Sequence, residues 1–159
     1  MIGAIAVLAM LTPSCYLPPV TSAIIDPFRS PACNYCPGNR GLEYAPATGS
    51  RVVAAAPGVV GFSGVVAGVR YLVVDQTDGR TATYGRLASA LVAVGATVRA
   101  GEPLGTTTAR FFFGLRQANR YVDPAPFLGV VRFRPRLIPV DGSAPRPVPH
   151  PTMRCALPP

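Results

Sequence analysis

Val52-Val53-Ala54-Ala55-Ala56-Pro57-Gly58-Val59-Val60-Gly61-Phe62-Ser63-Gly64 holds two short β-branched runs separated by a proline and a glycine. Runs of this length, bounded by turn residues, are strands rather than helices. The pattern continues downstream as Arg70 to Asp75 and Thr81 to Tyr84, broken by Gly64, Gly68 and Asp78-Gly79. Asp-Gly between two strand-like runs is a strong hairpin signal, because both residues accept the backbone twist that a tight turn needs. Arg110 to Arg116 is continuous and apolar in its middle, which predicts a strand covered on both faces. Arg86 to Leu91 reads as one helical turn. Short strands at close spacing predict a small, antiparallel, all-β domain.

Further pieces surround this stretch in order. Asn39-Arg40-Gly41-Leu42-Glu43-Tyr44 precedes it. Thr83-Tyr84-Gly85-Arg86-Leu87, Val98-Arg99-Ala100-Gly101-Glu102-Pro103-Leu104-Gly105, Phe112-Phe113-Gly114-Leu115-Arg116 and Tyr121-Val122-Asp123-Pro124 follow. The ordered series resembles the lysostaphin/LytM-type peptidase family (peptidase family M23), zinc endopeptidases that cut peptide cross-links in peptidoglycan. The resemblance covers roughly residues 39–128. It implies a duplicated hybrid motif, related to the barrel-sandwich architecture. It also implies where a site would lie. The family's His-x3-Asp ligand pair falls on Asn39 and Glu43. Its Tyr-x-His falls on Tyr84-Gly85-Arg86, and its His-x-His on Arg110-Phe111-Phe112.

Every histidine of that set is replaced, and the single histidine of the chain, His150, stands far away in a proline-rich tail. Catalytic zinc takes three nitrogen, sulfur or carboxylate ligands and an open position for water. At these positions Asn39 brings a neutral amide, Phe112 brings no donor, and Arg86 and Arg110 bring fixed positive charge. Without a metal there is no means of lowering the pKa of an attacking water. The expectation is therefore a degenerate site with no metal, no cofactor and no catalysis. Glu43 is expected to pair with Arg86 or Arg110, since a part-buried carboxylate needs a partner. The competing reading is that the two arginines and Asn39 grip a carboxylate ligand, for which a bidentate guanidinium is suited. A rival of another class is an active endopeptidase with an atypical metal site built from Glu43 and other carboxylates.

Composition bounds the setting. A chain of 159 residues that is 49% hydrophobic can bury one core. Lysine is absent, all 15 basic residues are arginine, and the net charge is +8. Such charge favours anionic partners such as wall polymers or lipid headgroups. No nucleic-acid motif accompanies it, so nucleic acid is not an expected partner. Val94 to Gly105 also resembles biotinyl and lipoyl carrier domains, but a carrier attaches its cofactor to lysine, which excludes that function.

The ends carry the remaining signals. Residues 1–14 open with an apolar run too short to span a bilayer and suited to a signal segment. Residues 15–38 form a proline-rich entry segment, expected to lie over the core rather than in it. Cys15, Cys33, Cys36 and Cys155 suit an exported protein with disulfides, and four cysteines allow three pairings. Leu11 to Cys15 also looks faintly like a lipidation box, so membrane contact is expected only if Cys15 carries lipid. Residues 129–159 are basic and proline-rich, and predict a solvated polyproline II extension. The reading as a whole is a secreted or envelope-associated LytM-like protein. It binds peptidoglycan or another anionic envelope polymer, or regulates a wall hydrolase. A purely structural envelope protein is the third class.

Overall fold

A computed structural model describes residues 15–33, 35–132, 140 and 152–155. The expected signal segment and the proline-alternating stretch around His150 lie outside the described residues. Local turn chemistry builds most of the sheet. Strands β4 (Gly58–Val66) and β5 (Val69–Gln76) join through Ala67-Gly68, both in the left-handed region at φ 49° and 80°. A two-residue turn of this hand matches the strand twist. Strand β6 (Arg80–Ala90) follows β5 through Thr77-Asp78-Gly79. There Gly79 takes φ 84° and its N–H donates to the Gln76 carbonyl at 3.0 Å. The Asp-Gly hairpin signal is thus realised as a three-residue loop.

The long strand β8 (Pro103–Gln117) organises the rest. With β1 (Ile24–Asp26), β2 (Gly41–Tyr44) and β7 (Thr97–Val98), the sheet order is β1-β2-β8-β6-β5-β4-β7. Two further strands, β3 (Arg51–Val53) and β9 (Arg120–Val122), pair with β8 off this path, and every pairing is antiparallel. The all-β expectation holds. The expected helical turn over Arg86 to Leu91 is overturned. Leu87, Ser89 and Ala90 pair with Thr107, Thr106 and Gly105 of β8, and this distant ladder overrides local propensity.

Alternation along β8 decides what is core. Phe111, Phe113 and Leu115 are fully buried, whereas Arg110 is exposed and Phe112 half-buried. The strand is therefore covered by core on one face only, which corrects the expectation of cover on both. The inward residues meet Val52, Leu72, Val74, Ala82, Tyr84, Val98 and Leu104, all fully buried. Full burial of one such side chain stabilises by about 1.5–3 kcal/mol. Tyr84 packs on Phe113 with ring centroids 5.3 Å apart, and its hydroxyl accepts from the Ala55 N–H at 2.8 Å. That bond ties the Ala54-Ala55-Ala56-Pro57 corner to the middle of the sheet.

The two ends are more closely integrated than proline content suggests. Tyr16 and Val20 are 3% and 4% exposed and belong to the core cluster, which corrects the view of an entry segment lying outside it. Each proline still leaves the neighbouring amides free to bond. The Leu17 N–H donates to the Ala55 carbonyl, and the Val53 N–H to the Pro19 carbonyl. A short 3-10 turn (Ala125–Phe127) packs on Tyr16, and strand β10 (Gly129–Arg132) pairs with β11 (Thr152–Cys155). The tail expected to extend into solvent thus returns to the domain at its end. Cys15 bonds Cys155 and Cys33 bonds Cys36. One pairing of the three is chosen.

Candidate functional site

In β2, Leu42 and Tyr44 point into the core, so Gly41 and Glu43 face outward. Register then fixes the neighbours: Glu43 lies opposite Phe112 on β8, and Phe112 lies opposite Gly85 on β6. Glycine makes this floor flat enough for rings to lie on. A Cβ at Gly41 or Gly114 would come within 2.7 or 2.9 Å of the Phe112 ring. A Cβ at Gly85 would come within 2.7 Å of the Tyr71 ring.

A bulge sets the arginines beside this row. Gly85 pairs with Phe112 and Leu87 with Thr107, so Arg86 alone opposes Thr108 to Phe111. Arg86 sits at φ 61°, a left-handed conformation that costs a non-glycine residue about 1–2 kcal/mol. Thr108 holds the distortion: its Oγ1 lies 3.0 Å from the Arg86 carbonyl and 2.7 Å from the Arg110 carbonyl. Bulges of this kind re-aim side chains and cluster near functional sites. Here they bring two guanidinium groups onto one carboxylate. Arg86 Nη2 donates to Glu43 Oε1 at 3.1 Å, and Arg110 Nη1 donates to Glu43 Oε2 at 3.2 Å. The Glu43 side chain is 16% exposed, but those of Arg86 and Arg110 are 40% and 58% exposed.

Asn39 is buried, and its contacts run to the entry segment. Its Nδ2 donates to the carbonyls of Asp26 and Pro27 at 3.2 and 3.0 Å, and its Oδ1 accepts from the Gly41 N–H at 3.3 Å. Asp26 pairs in register with Glu43 and is held by Arg29. The hydrogen bond from Arg29 is the main cause that keeps the Asp26 carboxyl below the usual carboxylate range, with a smaller contribution from the charge of Arg110. Outside the row, a pocket of about 330 Å³ opens between the β4–β5 hairpin and the bulge. Gly68, Val69 and Arg70 line one side, Arg86 and Leu87 another, and Thr108 to Arg110 the third.

Residues 37–124 match the family model of peptidase family M23. The chain belongs to peptidase family M23. Solved structures of similar fold include Helicobacter pylori Csd3, at 23% identity and TM-score 0.64, covering 72% of this chain and 35% of that one. The catalytic domain of the antimicrobial peptidase lysostaphin from Staphylococcus simulans is 20% identical at TM-score 0.58, covering 67% and 91%. A chain of the SpoIIQ–SpoIIIAH pore-forming complex is 16% identical at TM-score 0.64, covering 74% and 92%. The chain thus spans about a third of Csd3 but nearly all of the other two. No curated protein matches it.

Within the M23 frame, the positions expected for the zinc ligands can be tested against their chemistry. Glu43 and Phe112 are cross-strand neighbours, as two ligands of one metal would be. Phe112, however, supplies a ring on a glycine bed, Asn39 has its amide bonded to backbone groups, and both Glu43 oxygens accept from arginine. This donor set does not fit zinc, whose sites require three nitrogen, sulfur or carboxylate ligands converging on one point. Among the described residues, no group of three His, Cys, Asp or Glu side chains is placed to hold a metal ion. The structure brings together Glu43, Arg86, Arg110 and Phe112, and assigns Asn39 to the entry segment. Sequence reading missed Arg70 and Thr108. Arg70 reaches the pocket only through the tight turn before it, and Thr108 acts only through a bulge that no local pattern marks.

Proposed function

We propose that this M23-family chain is a non-catalytic envelope protein that binds peptidoglycan or a closely related anionic wall polymer. One observation carries the reading: Glu43, where the resemblance to the family expects a metal ligand, is bridged by Arg86 and Arg110. Each oxygen of that carboxylate already accepts from a guanidinium group, and guanidinium groups cannot act as bases near neutral pH. The family supplies the wall as the class of ligand, and the net charge of +8 suits an anionic one. Two disulfides suit an exported chain, because they persist in oxidising compartments. Regulation of a wall hydrolase is a further role of the same kind. The SpoIIQ–SpoIIIAH complex shows that a chain of similar fold can work in an assembly.

The test has two readings. After dialysis, purified protein should hold far less than one zinc per chain and should leave peptidoglycan uncut. It should also sediment with purified peptidoglycan, and less so as salt rises. Stoichiometric zinc that survives dialysis, together with release of cross-link fragments, would overturn the non-catalytic reading. Absence of sedimentation at low salt would overturn wall binding.

A further inference from the structure

The cleft holds more positive charge than Glu43 can offset. Arg86 and Arg110 each give one N–H group to Glu43, out of five donors on each guanidinium. The Arg70 guanidinium, in the lining of the same pocket, makes no hydrogen bond or ion pair among the described residues, while its backbone pairs with Val65 in the hairpin. Three guanidinium groups against one carboxylate leave two positive charges at the pocket, and its lining includes no acidic residue. The next carboxylate along the sheet, Asp26, is already held by Arg29.

The rest of the lining narrows the ligand. Val69, Leu87 and Ala109 form apolar wall between the charges. A bare inorganic anion would leave that wall in water, whereas an anion carried on a short apolar body would cover it. The scaffold is also arranged before any ligand arrives. Ala67-Gly68 fixes the hairpin that carries Arg70, and the left-handed Arg86 is locked by Thr108. Strain of this kind is retained where surrounding structure over-determines it, and such places are enriched in binding sites.

We infer that the pocket between the β4–β5 hairpin and the Thr108–Arg110 bulge is an oxyanion site. It takes a carboxylate carried on a small apolar residue, with the Arg70 guanidinium, unpaired among the described residues, as the principal donor. Arg86 and Arg110 assist through the donors that Glu43 does not use. Glu43 acts as a brake, since it competes for the same arginines. This rests on the non-catalytic reading only in taking the cleft as a place of binding.

Three small probes test it on the full chain, followed by amide and arginine N–H resonances: N-acetylalanine, its neutral carboxamide, and inorganic phosphate. The expected result is saturable shifts at Gly68, Val69, Leu87 and Ala109 with N-acetylalanine, weaker ones with phosphate, and none with the carboxamide. Arg70→Ala should weaken N-acetylalanine binding about tenfold, and Glu43→Gln should tighten it by about the same factor, each changing the pocket by one charge. Arg70→Lys, which keeps the charge and loses the planar fork, should fall between wild type and Arg70→Ala. Shifts with the carboxamide equal to those with the acid would overturn the proposal, as would no shifts at the pocket. An unchanged affinity in both the Arg70→Ala and Glu43→Gln variants would also overturn it. Tighter binding of phosphate than of N-acetylalanine would remove the apolar half of the assignment. Sedimentation with peptidoglycan is read separately, so wall binding can fail while the pocket holds, or the reverse.

Discussion

Glu43 shows how exposure scales the worth of an ion pair. If its pairs with arginine were dry, breaking them would cost about 3–5 kcal/mol. The guanidinium ends are instead 40% and 58% exposed, and water screens charge they would otherwise leave unpaired. Glu43→Gln is therefore expected to lower stability by only about 1 kcal/mol, measured by urea unfolding. A loss above about 3 kcal/mol would mean that the cluster behaves as a buried network. Tyr44 presents the opposite case. Its ring is core, packed on Phe111 at 5.8 Å, while its hydroxyl is buried with no hydrogen-bond partner among the described residues. Burial pushes its ionisation well above the ordinary tyrosine range. An unpaired buried hydroxyl costs about 1–3 kcal/mol. Tyr44→Phe should thus leave stability unchanged or raise it, and a calorimetric midpoint several degrees below wild type would contradict this.

Among elements, the entry segment is held at a hairpin turn. Tyr16 donates its hydroxyl to Asp78 Oδ2 at 2.5 Å, Arg80 Nη1 donates to the same oxygen at 2.8 Å, and the Arg80 N–H donates to Oδ1 at 3.1 Å. The Arg80 guanidinium lies 4.3 Å over the Phe127 ring, so one turn gathers the segment before the sheet and the 3-10 turn after it. Burial alone would raise the Asp78 carboxyl, but the bonds from Tyr16 and Arg80 outweigh it and hold it below its usual range. A carboxyl depressed in the folded state gives stability that is present above its unfolded value, near pH 4. That stability is lost as pH falls through the folded value. Stability should therefore decline below about pH 4, with Asp26 acting in the same direction. Asp78→Asn should cost about 1 kcal/mol at neutral pH and flatten part of the acid decline. Parallel pH profiles for the variant and wild type would show that the turn does not carry it.

At the scale of the molecule, the Cys15–Cys155 bond spans a sequence separation of 140, and the Cys33–Cys36 bond a separation of 3. In the chain-entropy account a longer loop constrains the unfolded chain more. Removing the long link through Cys15→Ser with Cys155→Ser should cost about 5 kcal/mol, against about 2 kcal/mol for removing the short one. Denaturant unfolding of the two double variants measures the difference. Equal losses would show that the long link acts through native contacts at the chain ends rather than through the unfolded state.

The sequence by itself determined the class of fold and named the residues expected at a site. Period-two runs, tight-turn residues and an ordered set of family motifs are local signals, and local signals survive without coordinates. The resemblance set Glu43, Arg86, Arg110 and Phe112 at the positions of one expected site, with Glu43 expected to pair with one arginine or the other; the register of β2 on β8 and the bulge then brought both arginines onto it. Four decisions belonged to the tertiary structure. It carried β6 through Leu87 to Ala90, because the ladder partner lies about twenty residues away on β8. It opened the outer face of β8 as a cleft, because only packing decides which side of a strand stays wet. It paired Cys15 with Cys155, since spacing cannot choose among connectivities. And it brought Arg70 across from a hairpin to the arginines of the bulge, a juxtaposition made by two turns and a register shift that no stretch of chain contains.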